Sequence, residues 1–229
     1  DLVLILTYPD YLNIREESFV TVKEFMYSMF KLLYDTLLIK KTRRLLLDSS
    51  LYNAIYKTIK DYVQPILESL MLGVIVITIL DSDENVEVIL GITYALIFII
   101  SSFASRYSYI LVNKFKRDSI LNISWILSMM VYILLSLFIE SLYMVVLFFT
   151  LIYVIQNVRK PFMVGKIGDF TNKTNNASTL SVESQLTSMF IIVMAPTLGA
   201  VYDNFGPRYV FILLAILSLF MFIVKKKEH

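Results

Sequence analysis

The sequence predicts an all-α, polytopic membrane protein with six transmembrane helices. Three observations carry that expectation. Hydrophobic residues make up 57% of the 229 residues, against roughly 45–50% in soluble domains. Charged residues are 17%, below the ~25% of soluble chains. The apolar residues gather into runs near the ~20 residues that a spanning helix needs. The mean hydropathy of +0.69 therefore belongs to segments, not to scattered side chains.

The spans are read at residues 45–72, 86–111, 118–139, 141–159, 177–203 and 208–224. Basic clusters punctuate them. Lys40, Lys41, Arg43 and Arg44 precede the first, and Lys114, Lys116 and Arg117 separate the second from the third. Arg159, Lys160, Lys166 and Lys173 follow the fourth, and Lys225, Lys226 and Lys227 follow the sixth. If every span crosses once, all four clusters share one side. The other side carries DSDENVE (Asp81 to Glu87), Glu140 and Asp203, with Arg208 its only basic residue. Lys and Arg mark cytoplasmic loops, so both ends are expected in the cytoplasm, with the protein in the cell membrane.

Residues 1–44 are read as the end of a preceding span plus a cytoplasmic linker, 45–224 as the bundle and 225–229 as a basic tail. The chain opens on Asp1, and DLVLILTY resembles the tail of an apolar segment. A longer parent chain is therefore expected. Residues 20–44 alternate apolar and basic positions at helical spacing. That fits an amphipathic helix on a membrane surface, or a solvated linker helix. Asn122, Asn172 and Asn176 each open an N-x-[ST] triplet, read as chance matches, since one lies within a span and two on the cytoplasmic side.

The first span is the most polar. At 100° per residue, Asn53, Lys57, Lys60, Asp61, Gln64 and Glu68 fall within an arc of about 100°. A charge at a helix centre costs roughly 2.5–3.5 kcal/mol on insertion scales, and one Leu or Ile returns only about 0.3–0.6. Four charges cannot face lipid, so the stripe is expected to face protein or water. Lys57 and Asp61 stand four residues apart and can pair. They then serve either as a self-neutralising structural pair or as part of a site. Pro65 frees the Asp61 carbonyl, so a kink or local unwinding is expected there.

The other spans differ in kind. The third and sixth read as apolar and suited to a lipid-facing periphery. The fourth has a milder row, Tyr143, Thr150, Tyr153 and Asn157 with Gln156 beside it, which helix–helix hydrogen bonds also explain. In the fifth, Ala177 and Ser181, Ser184 and Ser188, and Ala195 and Gly199 repeat small residues at four-residue spacing, a close-packing pattern. Glu183 is its lone carboxylate: a partner for a nearby base or an interface group, or a proton or substrate site. Polarity thus runs high, middling, low, then middling, high, low, which suggests a repeated three-helix unit.

Six spans with both ends inside, a basic linker before them and a polar first span resemble the C-terminal half of a major facilitator superfamily transporter of the bacterial efflux or permease type. Gly199, Asp203, Gly206 and Arg208 in GAVYDNFGPR have the spacing of that family's signature loop, here on the side opposite its best-known copy. Arg159 to Ser181 is similar to the family's stretch around its tenth and eleventh helices. The resemblance implies that the first and fourth spans line a central cavity, the second and fifth meet a missing N-terminal half, and the third and sixth face lipid. It implies a secondary active transporter of a small solute, by alternating access, with proton antiport in the efflux direction. Asn53, Lys57, Lys60, Asp61, Gln64, Glu68, Tyr153, Asn157 and Glu183 are the candidate pathway residues, with Asp61 foremost. Partners would be the solute, the bilayer and the missing half.

Other readings are weaker. The membrane domain of an ATP-driven exporter also has six spans, but no Walker A sequence occurs, and such helices extend far beyond the short loops here. A membrane-embedded enzyme would lack cysteine altogether and any histidine before His229. It shows no G-x-S-x-G, H-E-x-x-H or paired acidic metal motif. No cofactor, metal or nucleic acid is expected, and a proton would be the coupling ion.

Overall fold

The computed structural model describes residues 31, 34, 38–78, 82–114, 117–170 and 176–226. The apolar start, most of the 20–44 segment, Asn172, Lys173 and Lys227 lie outside the described residues. Among the described residues there are six helices and no strand: α1 Lys40–Thr78, α2 Ser82–Lys114, α3 Arg117–Leu137, α4 Leu142–Phe170, α5 Asn176–Phe205 and α6 Pro207–Lys226. Five of them, α2 to α6, contain stretches long and apolar enough to cross a membrane. By composition α1 does not join them, because its stripe of charges lowers the hydropathy of its middle. Its 39 residues extend about 58 Å at 1.5 Å per residue, roughly twice a bilayer's hydrocarbon core.

The main apolar core collects the buried face of α1 (Tyr52, Ile55, Ile59, Val63, Ile66, Leu67), with Trp125, Tyr132 and Leu135 of α3, Phe149 and Tyr153 of α4, and Phe211 and Leu214 of α6. A smaller core gathers Leu45, Leu46, Leu121, Phe162, Met163, Ile167, Val182 and Leu186. It lies at the end of the bundle where α1, α3 and α5 begin and α4 ends, here called the basic end. A polar layer separates the two cores.

α1 packs along α5, α2 along α4, and α3 along α6, while α1 and α4 meet at the centre. Exchanging α1–α3 with α4–α6 turns the first pair into the second. It leaves the α3–α6 and α1–α4 pairs unchanged. These four pairings follow the symmetry that the run of polarity suggested, whereas the close α3–α4 contact has only a slight α6–α1 counterpart.

One local expectation needs correcting, and two gain detail. The fourth span does not stop at 159. Lys160 and Pro161 do not break it, because a proline gives up only one backbone bond, and α4 continues to Phe170. Arg159 is therefore a helix-interior residue. Pro65 does not unwind α1, which is continuous from Lys40 to Thr78, so of the kink or unwinding expected there only the unwinding falls away. The third span has an exposed apolar face, with Ile123, Leu127, Met130, Ile133 and Leu137 outward, and a packed inner one. It is the most buried of the five apolar spans, 44% against 17% for α5. Ser124, Ser128 and Ser136 make one face of α3 narrow enough to pack, and their hydroxyls are satisfied. Ser124 and Ser136 donate to the Leu121 and Ile133 carbonyls, and Ser128 bonds the Tyr52 hydroxyl at 2.6 Å.

The α5–α6 junction follows from two residues. Gly206 has φ +90°, and its N–H still donates to the Tyr202 carbonyl at 2.8 Å. Pro207 then opens α6, where its missing N–H costs nothing. Gly206→Ala is expected to cost about 1–2 kcal/mol, measured as a lower midpoint of heat unfolding in detergent. An unchanged midpoint would mean that the junction can relax to negative φ.

Candidate functional site

Lys57, Lys60, Asp61, Gln64 and Pro65 are all exposed on one face of α1, and Glu68 is half-buried there. The opposite face is the buried row that builds the main core, so the orientation of α1 is fixed by its apolar side. The stripe is left pointing out of the bundle. Gln64 donates to Glu68 Oε1 at 2.8 Å. Among the described residues, Lys57, Lys60 and Asp61 make no hydrogen bond or ion pair. The expected Lys57–Asp61 pair is not formed. In an exposed i, i+4 pair the gain is only a few tenths of a kcal/mol, too little to hold two mobile side chains together.

The stripe is closed at the basic end. Asn53 is half-buried, and its Nδ2 donates to Glu183 Oε1 of α5 at 2.5 Å. Ser49 donates to the same oxygen at 2.7 Å, and Ser50 to the Glu183 carbonyl at 3.0 Å. From α4, Gln156 Nε2 donates to Asn53 Oδ1 at 2.7 Å. The Glu183 carboxylate is thus bound by the Ser49 hydroxyl and the Asn53 amide, as a group at a helix interface and, among the described residues, without a basic partner. Three helices meet in this network one turn before Lys57. Asn157 is not part of it, because its Nδ2 donates to the Tyr153 carbonyl of its own helix.

Aromatic rings form the wall toward α2 and α4. Tyr56 meets Tyr153 edge-on with centroids 5.4 Å apart, Phe98 meets Tyr153 at 5.9 Å, and Tyr94 stacks on Phe98 at 6.2 Å. Tyr153 is buried in this cluster, behind the open face, and its hydroxyl finds no partner among the described residues. A buried unpaired hydroxyl is a cost of about 1–3 kcal/mol. Tyr153→Phe is therefore expected to leave stability unchanged or raise it, by heat unfolding in detergent. A clear loss would show that the hydroxyl bonds a group outside the described residues.

Below this lies a second set of charged groups that sequence reasoning missed. Asp48 and Arg159 are both nearly inaccessible, and Arg159 Nη2 stands 3.0 Å from Asp48 Oδ2. Lys225 Nζ approaches the same oxygen, also at 3.0 Å. Trp125 Nε1 donates to Asp48 Oδ1 at 2.7 Å. Arg159 Nη1 donates to the Leu121 carbonyl at 2.9 Å and to Ser124 at 2.5 Å. Its guanidinium lies 3.9 Å from the Tyr52 ring centroid. One carboxylate thus joins α1, α3, α4 and α6. Reciprocal bridges add to it at the same end, Arg117 with Asp169 and Lys166 with Asp118. Basic residues that read as orientation signals alone are here also structural.

The loop motif dissolves into local roles. Gly206 caps α5, and Arg208 pairs with Glu140 at 3.1 Å across the α3–α4 turn. Asp203 is exposed. A Cβ on Gly199 would meet only the Tyr62 hydroxyl, at 3.8 Å, an ordinary contact, so packing there does not demand glycine. Ser181, Ser184 and Ser188 are exposed, so these small residues do not pack closely against another of the described helices.

No curated relative matches the chain. The sequence model of the Major Facilitator Superfamily matches residues 47–227, a stretch that holds nearly all of α1 and the five helices after it. Two exchangeable three-helix units, with the ionisable face of α1 left open, give that match its structural counterpart, and the chain belongs to the Major Facilitator Superfamily of membrane transporters.

Proposed function

We propose that this chain forms the C-terminal six-helix half of a secondary transporter, which moves a small solute by alternating access. In this reading the basic end is cytoplasmic, and proton antiport drives efflux. The observation that carries it is the open face of α1. Lys57, Lys60 and Asp61 lie on a helix within a membrane bundle and have no hydrogen-bond or ion-pair partner among the described residues. Ionisable groups at membrane depth line water-filled pathways, and substrate sites form between the repeats. The low burial of α5 and α2 within the chain supports a second bundle packed against them. Glu183, on α5, closes the pathway toward the cytoplasm and is the candidate proton carrier. Lys57, Lys60, Asp61, Gln64 and Glu68 line it.

Residues 1–229 contain no cysteine, so once any cysteine outside them is replaced, single cysteines at Lys57, Lys60 and Gln64 report access. In sealed vesicles, a membrane-impermeant thiol reagent is expected to label each position from either side, in proportions that shift when a proton gradient is imposed. Labelling from one side only, whatever the gradient, would count against alternating access. No labelling from either side would place the stripe in lipid or protein.

A further inference from the structure

We infer that the open face of α1 selects a small zwitterion, a molecule with a carboxylate and an ammonium near an apolar body. The inference rests on the transport reading and names its solute class. Along α1 the charges are sorted by sign. Lys57 and Lys60 come first from the basic end, then Asp61 and Glu68. The change of sign falls between neighbouring residues, Lys60 and Asp61. A simple cation drawn to Asp61 lies within reach of two ammonium groups. A simple anion drawn to the lysines lies beside a carboxylate. Only a molecule with both charges meets partners at both ends, and an unpaired charge left on either side rejects the singly charged analogue.

The rings seat the apolar body. Tyr56, beside Lys57 on α1, meets Tyr153, which meets Phe98 in turn. Tyr94 stacks on Phe98, and Phe98 is 51% exposed. The stripe thus runs beside an accessible aromatic cluster. The ligand's apolar body rests on these rings, while its two charges meet the two halves of the stripe. Glu68 is held by Gln64 at 2.8 Å, which leaves Asp61 as the free carboxylate. Lys57 and Lys60 are left for the ligand's carboxylate.

Three probes with one aromatic body separate the possibilities: phenylalanine, its C-terminal amide and its N-acetyl form. Each is added to the full-length protein in detergent, and heat unfolding is followed. Phenylalanine at roughly 100 times its Kd is expected to raise the midpoint by about 5 °C, and the two blocked forms to give no shift. Lys60→Gln is expected to weaken phenylalanine about tenfold, the loss of one charge-assisted bond, and to strengthen the amide. Asp61→Asn should do the reverse with the N-acetyl form. No shift from phenylalanine overturns the inference, as does an equal shift from either blocked form. So does a Lys60→Gln protein that loses both ligands alike. Flux of the same probes into vesicles is read separately. Binding without flux sinks the transport reading and leaves this one. Flux of another solute, with no phenylalanine shift, does the opposite.

Discussion

Asp48→Ala is expected to destabilise the bundle by about 3–5 kcal/mol, measured by heat unfolding in detergent. Asp48 is the single carboxylate between Arg159 and Lys225, each 3.0 Å from Oδ2. The two cations differ in what they can do without it. The Lys225 side chain is 18% exposed and sits in the last turn of α6, so it can swing to water. Arg159 cannot. It is held by the Leu121 carbonyl, Ser124 and the Tyr52 ring, with an apolar core on either side. The loss is therefore mostly the uncompensated guanidinium. Three comparisons follow. Lys225→Ala should cost less than about 1 kcal/mol, as a partly solvated pair does. Asp48→Asn should fall between, because it keeps an acceptor for Trp125 and loses the charge. Adding Arg159→Met to Asp48→Ala should restore much of the loss, since removing both partners of a buried pair is far milder than removing one. If Asp48→Ala alone costs under about 1 kcal/mol, Arg159 has access to water or to another anion.

Why this cluster escaped a reading of the sequence, while the α1 stripe did not, is a matter of range. The stripe is written at intervals of three and four residues, and helical periodicity places such residues on one face whatever the rest of the fold does. Asn53, Lys57, Lys60, Asp61, Gln64 and Glu68 duly share a face, exposed or half-buried. The partners of Asp48 stand 111 and 177 residues away, and no local pattern links them. Arg159 was further disguised by its neighbours. Next to Lys160 and Pro161 it resembles the end of a span, so its charge read as an orientation signal. Only the continuation of α4 to Phe170 turns it inward. Glu183 falls between these cases. Its position in an apolar helix marked it, but its partners, Ser49 and Asn53, depend on how α5 crosses α1. Tyr153 differs in the opposite direction. It belongs to a polar row in sequence, yet an aromatic ring is large enough to be drawn into the core, even at the cost of an unpaired hydroxyl.

Neutralising the stripe should separate function from folding more sharply than any other change. Asp61→Asn is expected to lower proton-driven flux at least tenfold, equivalent to about 1.4 kcal/mol, with heat stability changed by no more than about 0.5 kcal/mol. Lys57→Gln should behave similarly. Glu68→Gln should be milder, because the new amide keeps an oxygen to accept the Gln64 bond. The reasoning turns on what these side chains touch. Asp61 and Lys57 have no hydrogen-bond or ion-pair partner among the described residues, so none of the bonds seen in the fold is lost when their charge goes. The sign of any stability change is informative. A charge facing lipid costs roughly 2.5–3.5 kcal/mol, so if the stripe faced the bilayer, neutralisation would stabilise the protein by an amount of that order. If instead the charges are bound by acidic and basic groups of another bundle, neutralisation would destabilise it. A water-lined pathway alone predicts lost flux at constant stability. Full flux in Lys57→Gln, Asp61→Asn and Glu68→Gln together would make the stripe a structural feature. The pathway would then have to run elsewhere, with the Asn53–Glu183–Gln156 junction as its next candidate.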